Sequence, residues 1–124
     1  MIRIALLAIA ILAAPLTASA QYIDAISNKL IGGCTLDQYL EAVEGFRAVM
    51  KSEGYAYTVE IAQPLTGDLS VIWWVGRTPD LTTYGKEYTR WEAALANTGS
   101  PEAKANAKLN ACAENVSRQG SIVR

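Results

Sequence analysis

The sequence predicts an α+β domain: one antiparallel sheet with helices packed on a single face. Three observations lead there. Tyr55 to Ala62, "YAYTVEIA", alternates, with Tyr57, Val59 and Ile61 pointing one way and Thr58 and Glu60 the other, which is the period of a half-buried strand. Turn residues from Pro64 to Asp68 join it to a second apolar run, Leu69 to Arg77, so the two form a hairpin. Segments with helical spacing, each opened by a capping signal, flank that hairpin on both sides.

Taken in order, Gln21 to Ile31 mixes β-branched, aromatic and polar residues, and its first part reads as a strand that Gly32-Gly33 ends. Thr35-Leu36-Asp37-Gln38 is a capping box, threonine followed three residues later by glutamine. Leu36, Tyr39, Leu40, Val43, Phe46 and Met50 then recur at helical spacing, and Gly54 stops the helix. After the hairpin, Thr78-Pro79-Asp80 opens a second helix, whose stripe is Leu81, Tyr84, Tyr88, Trp91 and Leu95 and whose stop is Asn97-Thr98-Gly99. This stripe is expected to be core. Ser100-Pro101-Glu102 repeats the start signal for a third helix, with Ala105, Leu109, Cys112 and Val116 inward. Gln119 to Arg124 is expected to pair as a brief last strand.

With the third helix set aside, the order is β-α-β-β-α-β, the split arrangement of ferredoxin-like folds, extended by a C-terminal helix. Both main helices then lie on one sheet face. The run "SVIWWVGR" is apolar on both faces: Val71, Trp73 and Val75 share one side, Ile72 and Trp74 the other. Helices bury one set only. The expectation is that Ile72 and Trp74 are left outside, to be covered by a second subunit, by the third helix or by a ligand.

Residues 1–20 have the layout of a cleavable signal peptide: a charge at Arg3, an apolar run from Ile4 to Leu16, and small residues at Ala18 and Ala20 before a cut at Gln21. The run is too short for a membrane span, which needs about 20 residues. Residues 21–124 are expected to form one domain of periplasmic or secreted location, with no stable membrane insertion after cleavage. In an exported chain the two cysteines, Cys34 and Cys112, are expected to pair as a disulfide. Without Arg3, ten basic residues face twelve acidic ones and form no basic stripe, so nucleic acid is not an expected partner. The chain has no histidine, which excludes the usual Ser-His-Asp and Cys-His nucleophiles and removes the commonest transition-metal ligand. No phosphate-cradling glycine loop or calcium loop appears, and neither a metal nor another cofactor is expected.

The hairpin "YTVEIAQPLTGDLSVIWWVGR", its step into "TPDLTTYGKEYTRW", and the element order over most of Cys34 to Arg124 resemble the dimeric α/β-barrel superfamily. In that group two ferredoxin-like sheets pack face to face, so the resemblance implies a homodimer. The group spans cofactor-independent monooxygenases, haem-degrading enzymes, small-molecule regulators and domains of unknown role, and fold alone selects none of these. For the monooxygenases the resemblance implies Asn28 acting with Trp73 or Trp74; for haem degradation it implies a histidine, which is lacking. The leading expectation is a non-catalytic homodimeric binding or structural protein. The alternatives are a barrel for a small hydrophobic ligand, its lumen lined by Trp74 and Glu60, and an oxygenase. Arg77 is expected to pair with Asp80 or an anionic ligand, and Glu60 to be solvated on an edge strand.

Overall fold

The computed structural model describes residues 20–124; the expected signal peptide lies outside the described residues, save for Ala20. The elements are β1 (Gln21–Leu30), α1 (Leu36–Ser52), β2 (Thr58–Ala62), β3 (Ile72–Thr78), α2 (Leu81–Leu95), α3 (Pro101–Cys112) and β4 (Ala113–Val123). The sheet order is β2-β3-β1-β4 and every neighbouring pair is antiparallel. Together with the element order, this is the ferredoxin-like topology, carrying one additional helix.

Local chemistry sets the boundaries. Thr35 and Gln38 close the capping box of α1 in both directions. Gly32 turns the chain out of β1 with a φ of 63°, and a Cβ there would come within 2.9 Å of the Ala111 carbonyl oxygen, so glycine is required twice over. Asp80, rather than Thr78, caps α2 by accepting from the Thr83 N–H; Thr78 is instead the last residue of β3, buried, with its hydroxyl donating to the Asp80 carbonyl. The Cys34–Cys112 disulfide forms as expected and ties the β1–α1 turn to the end of α3.

Two expectations are corrected in the C-terminal part. Val116 does not continue α3: the helix stops at Cys112, and β4 begins at Ala113 rather than near Gln119. The three-four spacing through Val116 looks helical, yet β1 offers a full-length edge, and ladder pairing overrides local propensity. Furthermore, α3 packs against α1 and α2 on the helix side and so does not cover the second sheet face.

The core joins Val43, Phe46 and Met50 of α1 to Ile26, Val59, Ile72 and Trp74 of the sheet. Here the strand-face expectation is corrected. Ile72 and Trp74 point under the helices, at 7% and 8% exposure. It is Trp73 and Val75 that share the other face with Ile23 and Ala25, all half-buried. The α2 stripe is corrected as well: no residue of α2 is buried. The helix stands off the sheet, and a cavity lies in the gap.

Candidate functional site

The site starts from a row across the sheet. Asp24 of β1 lies opposite Gly76 of β3 and Gly120 of β4. With no side chain on either neighbour, two tyrosine hydroxyls descend onto the row. A Cβ at Gly76 would fall 1.7 Å from Tyr57 Oη, and one at Gly120 would fall 2.3 Å from Tyr22 Oη. Asp24 is 1% exposed, and a carboxylate that deep must be paired and hydrogen-bonded. Arg118 of β4 meets it in a fork, Nε at 2.8 Å from Oδ1 and Nη2 at 2.7 Å from Oδ2. Tyr57 donates to Oδ2 at 3.2 Å and accepts from the Trp74 indole N–H at 2.7 Å. Arg118 Nη2 also donates to Tyr84 Oη at 2.5 Å.

The electrostatics follow from this relay. Burial, reinforced by the charge of Asp24, holds the Tyr57 hydroxyl far above its ordinary range. The same two causes push Tyr84 up to about 12. Hydrogen bonding to Asp24 raises the Arg118 guanidinium, against the opposing effect of burial. The phenols therefore stay protonated at neutral pH, and the guanidinium stays charged.

Above this floor, between α2, α3 and the sheet, lies a cavity of about 350 Å³. That is within the size of small-molecule sites, on the order of 300–1,000 Å³. Phe46, Trp74 and Trp91 make an apolar wall, with Phe46 edge-on to both indoles at centroid distances of 4.8 and 5.3 Å. Asn28 and Asn115 of the sheet and Asn106 and Asn110 of α3 add amides to the lining. A bulge in β4 makes this possible: the register shifts between Ser27 and Asn28, so that Asn115 and Arg118, three residues apart, both face the cavity.

Two polar atoms here have no protein partner among the described residues. The Tyr39 hydroxyl is one; its residue is 1% exposed, and burial alone pushes its pKa up to about 12. The other is Asn28 Oδ1, whose amide nitrogen donates to the Ile26 carbonyl at 3.2 Å. No enclosed side-chain nitrogen or oxygen among the described residues lacks a partner, so these two atoms open onto the cavity that their residues line.

Of the residues singled out from sequence, Asn28, Trp74 and Ile72 fall on the helix-facing side, and Asn28 and Trp74 share the cavity wall. Trp73, Glu60 and Arg77 fall on the opposite face. A lumen lined jointly by Trp74 and Glu60 is thereby excluded: Glu60 pairs with Val75, one position out of phase with Trp74. Arg77 does not reach Asp80; its guanidinium lies 3.7 Å from Glu60 and donates to Gln21 at 3.3 Å. Glu60 is solvated on the edge strand, its side chain 72% exposed. Sequence reasoning missed Asp24, Tyr57, Tyr84 and Arg118 as a cluster. The available signal was a carboxylate at Asp24 in the same phase as Tyr22 and Ile26. Among the described residues no three acidic or cysteine side chains converge on a metal-sized site, and no helix is long and apolar enough to cross a membrane.

No family model matches the chain, and no curated protein matches it. Among solved structures, it is similar to a dimeric protein of unknown function with a ferredoxin-like fold from Bacteroides fragilis, at 12% identity and a TM-score of 0.47, over 84% of this chain and 95% of that one. It is also similar to a conserved protein from Methanosarcina mazei, at 8% identity and a TM-score of 0.48, over 86% of this chain and 94% of that one.

Proposed function

We propose that the chain is a small exported homodimeric protein that binds a small organic molecule in the cavity between its helices and its sheet. The observation that carries the reading is the aromatic cavity of about 350 Å³ onto which the Tyr39 hydroxyl and Asn28 Oδ1 open without a protein partner. A ligand hydrogen bond can satisfy both atoms there. Homodimerisation rests on the open sheet face, where Ile23, Ala25, Trp73 and Val75 form an apolar centre bordered by Arg77, Glu60 and the Ser27–Ser117 hydrogen bond at 2.6 Å. Export rests on the signal-like leader and on a disulfide that oxidising compartments preserve.

The test uses the Trp73→Phe variant, which leaves tryptophan only at Trp74 and Trp91, both on the cavity wall. Small aromatic and amphiphilic probes are expected to change its fluorescence saturably. A panel that leaves the emission unchanged would contradict the reading.

One observation favours a second reading, cofactor-free oxygenation: Asn28 and Trp74 share the cavity. The Trp74 indole N–H is, however, already committed to Tyr57, and the Asn28 amide nitrogen to a carbonyl. The indole N–H is therefore not free to hold oxygen, while Asn28 keeps its second N–H and its Oδ1 for a ligand. Oxygen uptake with a quinol, lost in Asn28→Ala, is the result that would establish catalysis.

A further inference from the structure

We infer that the ligand of this cavity is an organic cation, an amine or quaternary ammonium whose charged head sits against the α2 side; this rests on the cavity being a binding site. Three kinds of observation on the lining converge on it.

The first is charge. Asp24, Glu87 and Glu92 are the lining carboxylates, Arg118 is the one lining cation, and no lysine takes part, so the lining carries a net charge of −2. The guanidinium is already matched by Asp24 through two hydrogen bonds. The charge left over within the lining is that of Glu87, which is half-buried, and Glu92, which is exposed, while Arg90 stands on the Tyr55 ring outside the lining. Glu87 is half-buried and accepts only the Ala56 N–H, at 3.2 Å, which leaves lone pairs for a cation. The second is aromatic content. Every aromatic residue of the chain except Tyr22 and Trp73 lines this one cavity. Beside Glu87 and Glu92 on α2 stand Tyr88 and Trp91, with Tyr55 edge-on to Trp91 at 6.2 Å. Ring faces carry negative potential and attract cations, more strongly where water is excluded. The protein's own guanidinium groups already use this chemistry, Arg90 lying 3.9 Å from the Tyr55 ring centre and Arg118 5.4 Å from that of Tyr88. The third is the pair of unpartnered groups, the Asn28 oxygen and the Tyr39 hydroxyl. Both can accept from the N–H or O–H groups of the same ligand.

Neutral, apolar ligands would gain from the rings but not from the two carboxylates, and anions would be repelled by them. The competing pull, Arg118 on an anion, is weak because its nearest charge is Asp24, which any anion would have to approach.

The experiment compares three probes of one shape on the full-length Trp73→Phe protein: choline, its neutral isostere 3,3-dimethyl-1-butanol, and 3,3-dimethylbutanoate. Binding is read from the emission of Trp74 and Trp91. Choline is expected to bind about tenfold more tightly than the neutral alcohol, and the carboxylate more weakly than either. The paired substitution Glu87→Gln and Glu92→Gln keeps the hydrogen-bond acceptors and removes the charge. It should erase choline's advantage and leave the alcohol's affinity unchanged. An alcohol or carboxylate that binds as tightly as choline overturns the cation assignment while leaving the cavity a binding site. So does a charge-neutral double variant that keeps choline's full advantage. No response to any of the three overturns both readings together.

Discussion

At the scale of single residues, the site depends on one buried charge. Asp24 is tolerated at 1% exposure because Arg118, Tyr57 and two glycines make room for it and satisfy it. Replacing Arg118 by methionine leaves the carboxylate with one phenolic partner. Breaking a fully buried pair costs about 3–5 kcal/mol, but the Arg118 side chain is 42% exposed and water can partly replace it. The expected loss is about 2–3 kcal/mol, read as a lower urea midpoint at neutral pH. Tyr39 gives a pH dependence. Its folded pKa, about 12, lies above the ordinary 10.0, so its contribution is full below pH 10 and is lost as pH rises from 10 towards 12. Thermal unfolding between pH 9 and 12 should show that decline, and Tyr39→Phe should remove its share of it, leaving the parts due to Tyr55, Tyr57 and Tyr84.

Asp24 was not legible in the sequence. Its phase on β1, shared with Tyr22 and Ile26, marks one side of a strand without saying that the side is inner or the strand central. Nothing in the sequence said that Gly76 and Gly120 would stand on either side of it, because that requires the registers of two strands from distant parts of the chain.

At the scale of elements, the helix starts were legible because capping is local chemistry: Thr35 with Gln38, and Ser100 with Pro101, act where they stand. The standoff of α2 was not. A stripe of tyrosines and a tryptophan reads the same whether it fills a core or lines a gap; only the stacking of α3 beyond it decides. The C-terminal strand was misjudged for a similar reason, its fate being set by β1. Facing on β3 was more accessible. Glu60 and Arg77 both fall in phase with Trp73 once the hairpin register is known, and charges mark the side open to solvent. The nine-residue connection between β2 and β3 hid that register. The disulfide anchors the junction of α3 and β4, where Leu109, Asn110 and Ala113 border the cavity. Replacing both cysteines by serine releases a crosslink of sequence separation 78, worth about 4 kcal/mol in the chain-entropy model. Chemical denaturation should show a destabilisation near that size, with weakened cavity binding.

At the scale of the whole molecule, the sheet separates two surfaces. One side carries a half-buried apolar strip beside the Ser27–Ser117 hydrogen bond, where the proposal seats a second copy. The other holds a polar relay and an aromatic cavity. The adjacent tryptophans belong one to each. Trp73→Glu is expected to convert the protein to a folded monomer, seen by sedimentation as a halved mass with unchanged far-UV dichroism. Trp74→Glu, which places a charge under the helices beside Phe46, is expected to unfold it. A monomeric wild type would rule out the face-to-face assembly.

The division is tested most directly by following the three indole N–H resonances of the nitrogen-15-labelled protein during titration with choline. Trp74 and Trp91 are expected to shift together and saturably while Trp73, on the far side of the sheet, stays in place. A shift confined to Trp73, with the other two unmoved, would contradict it.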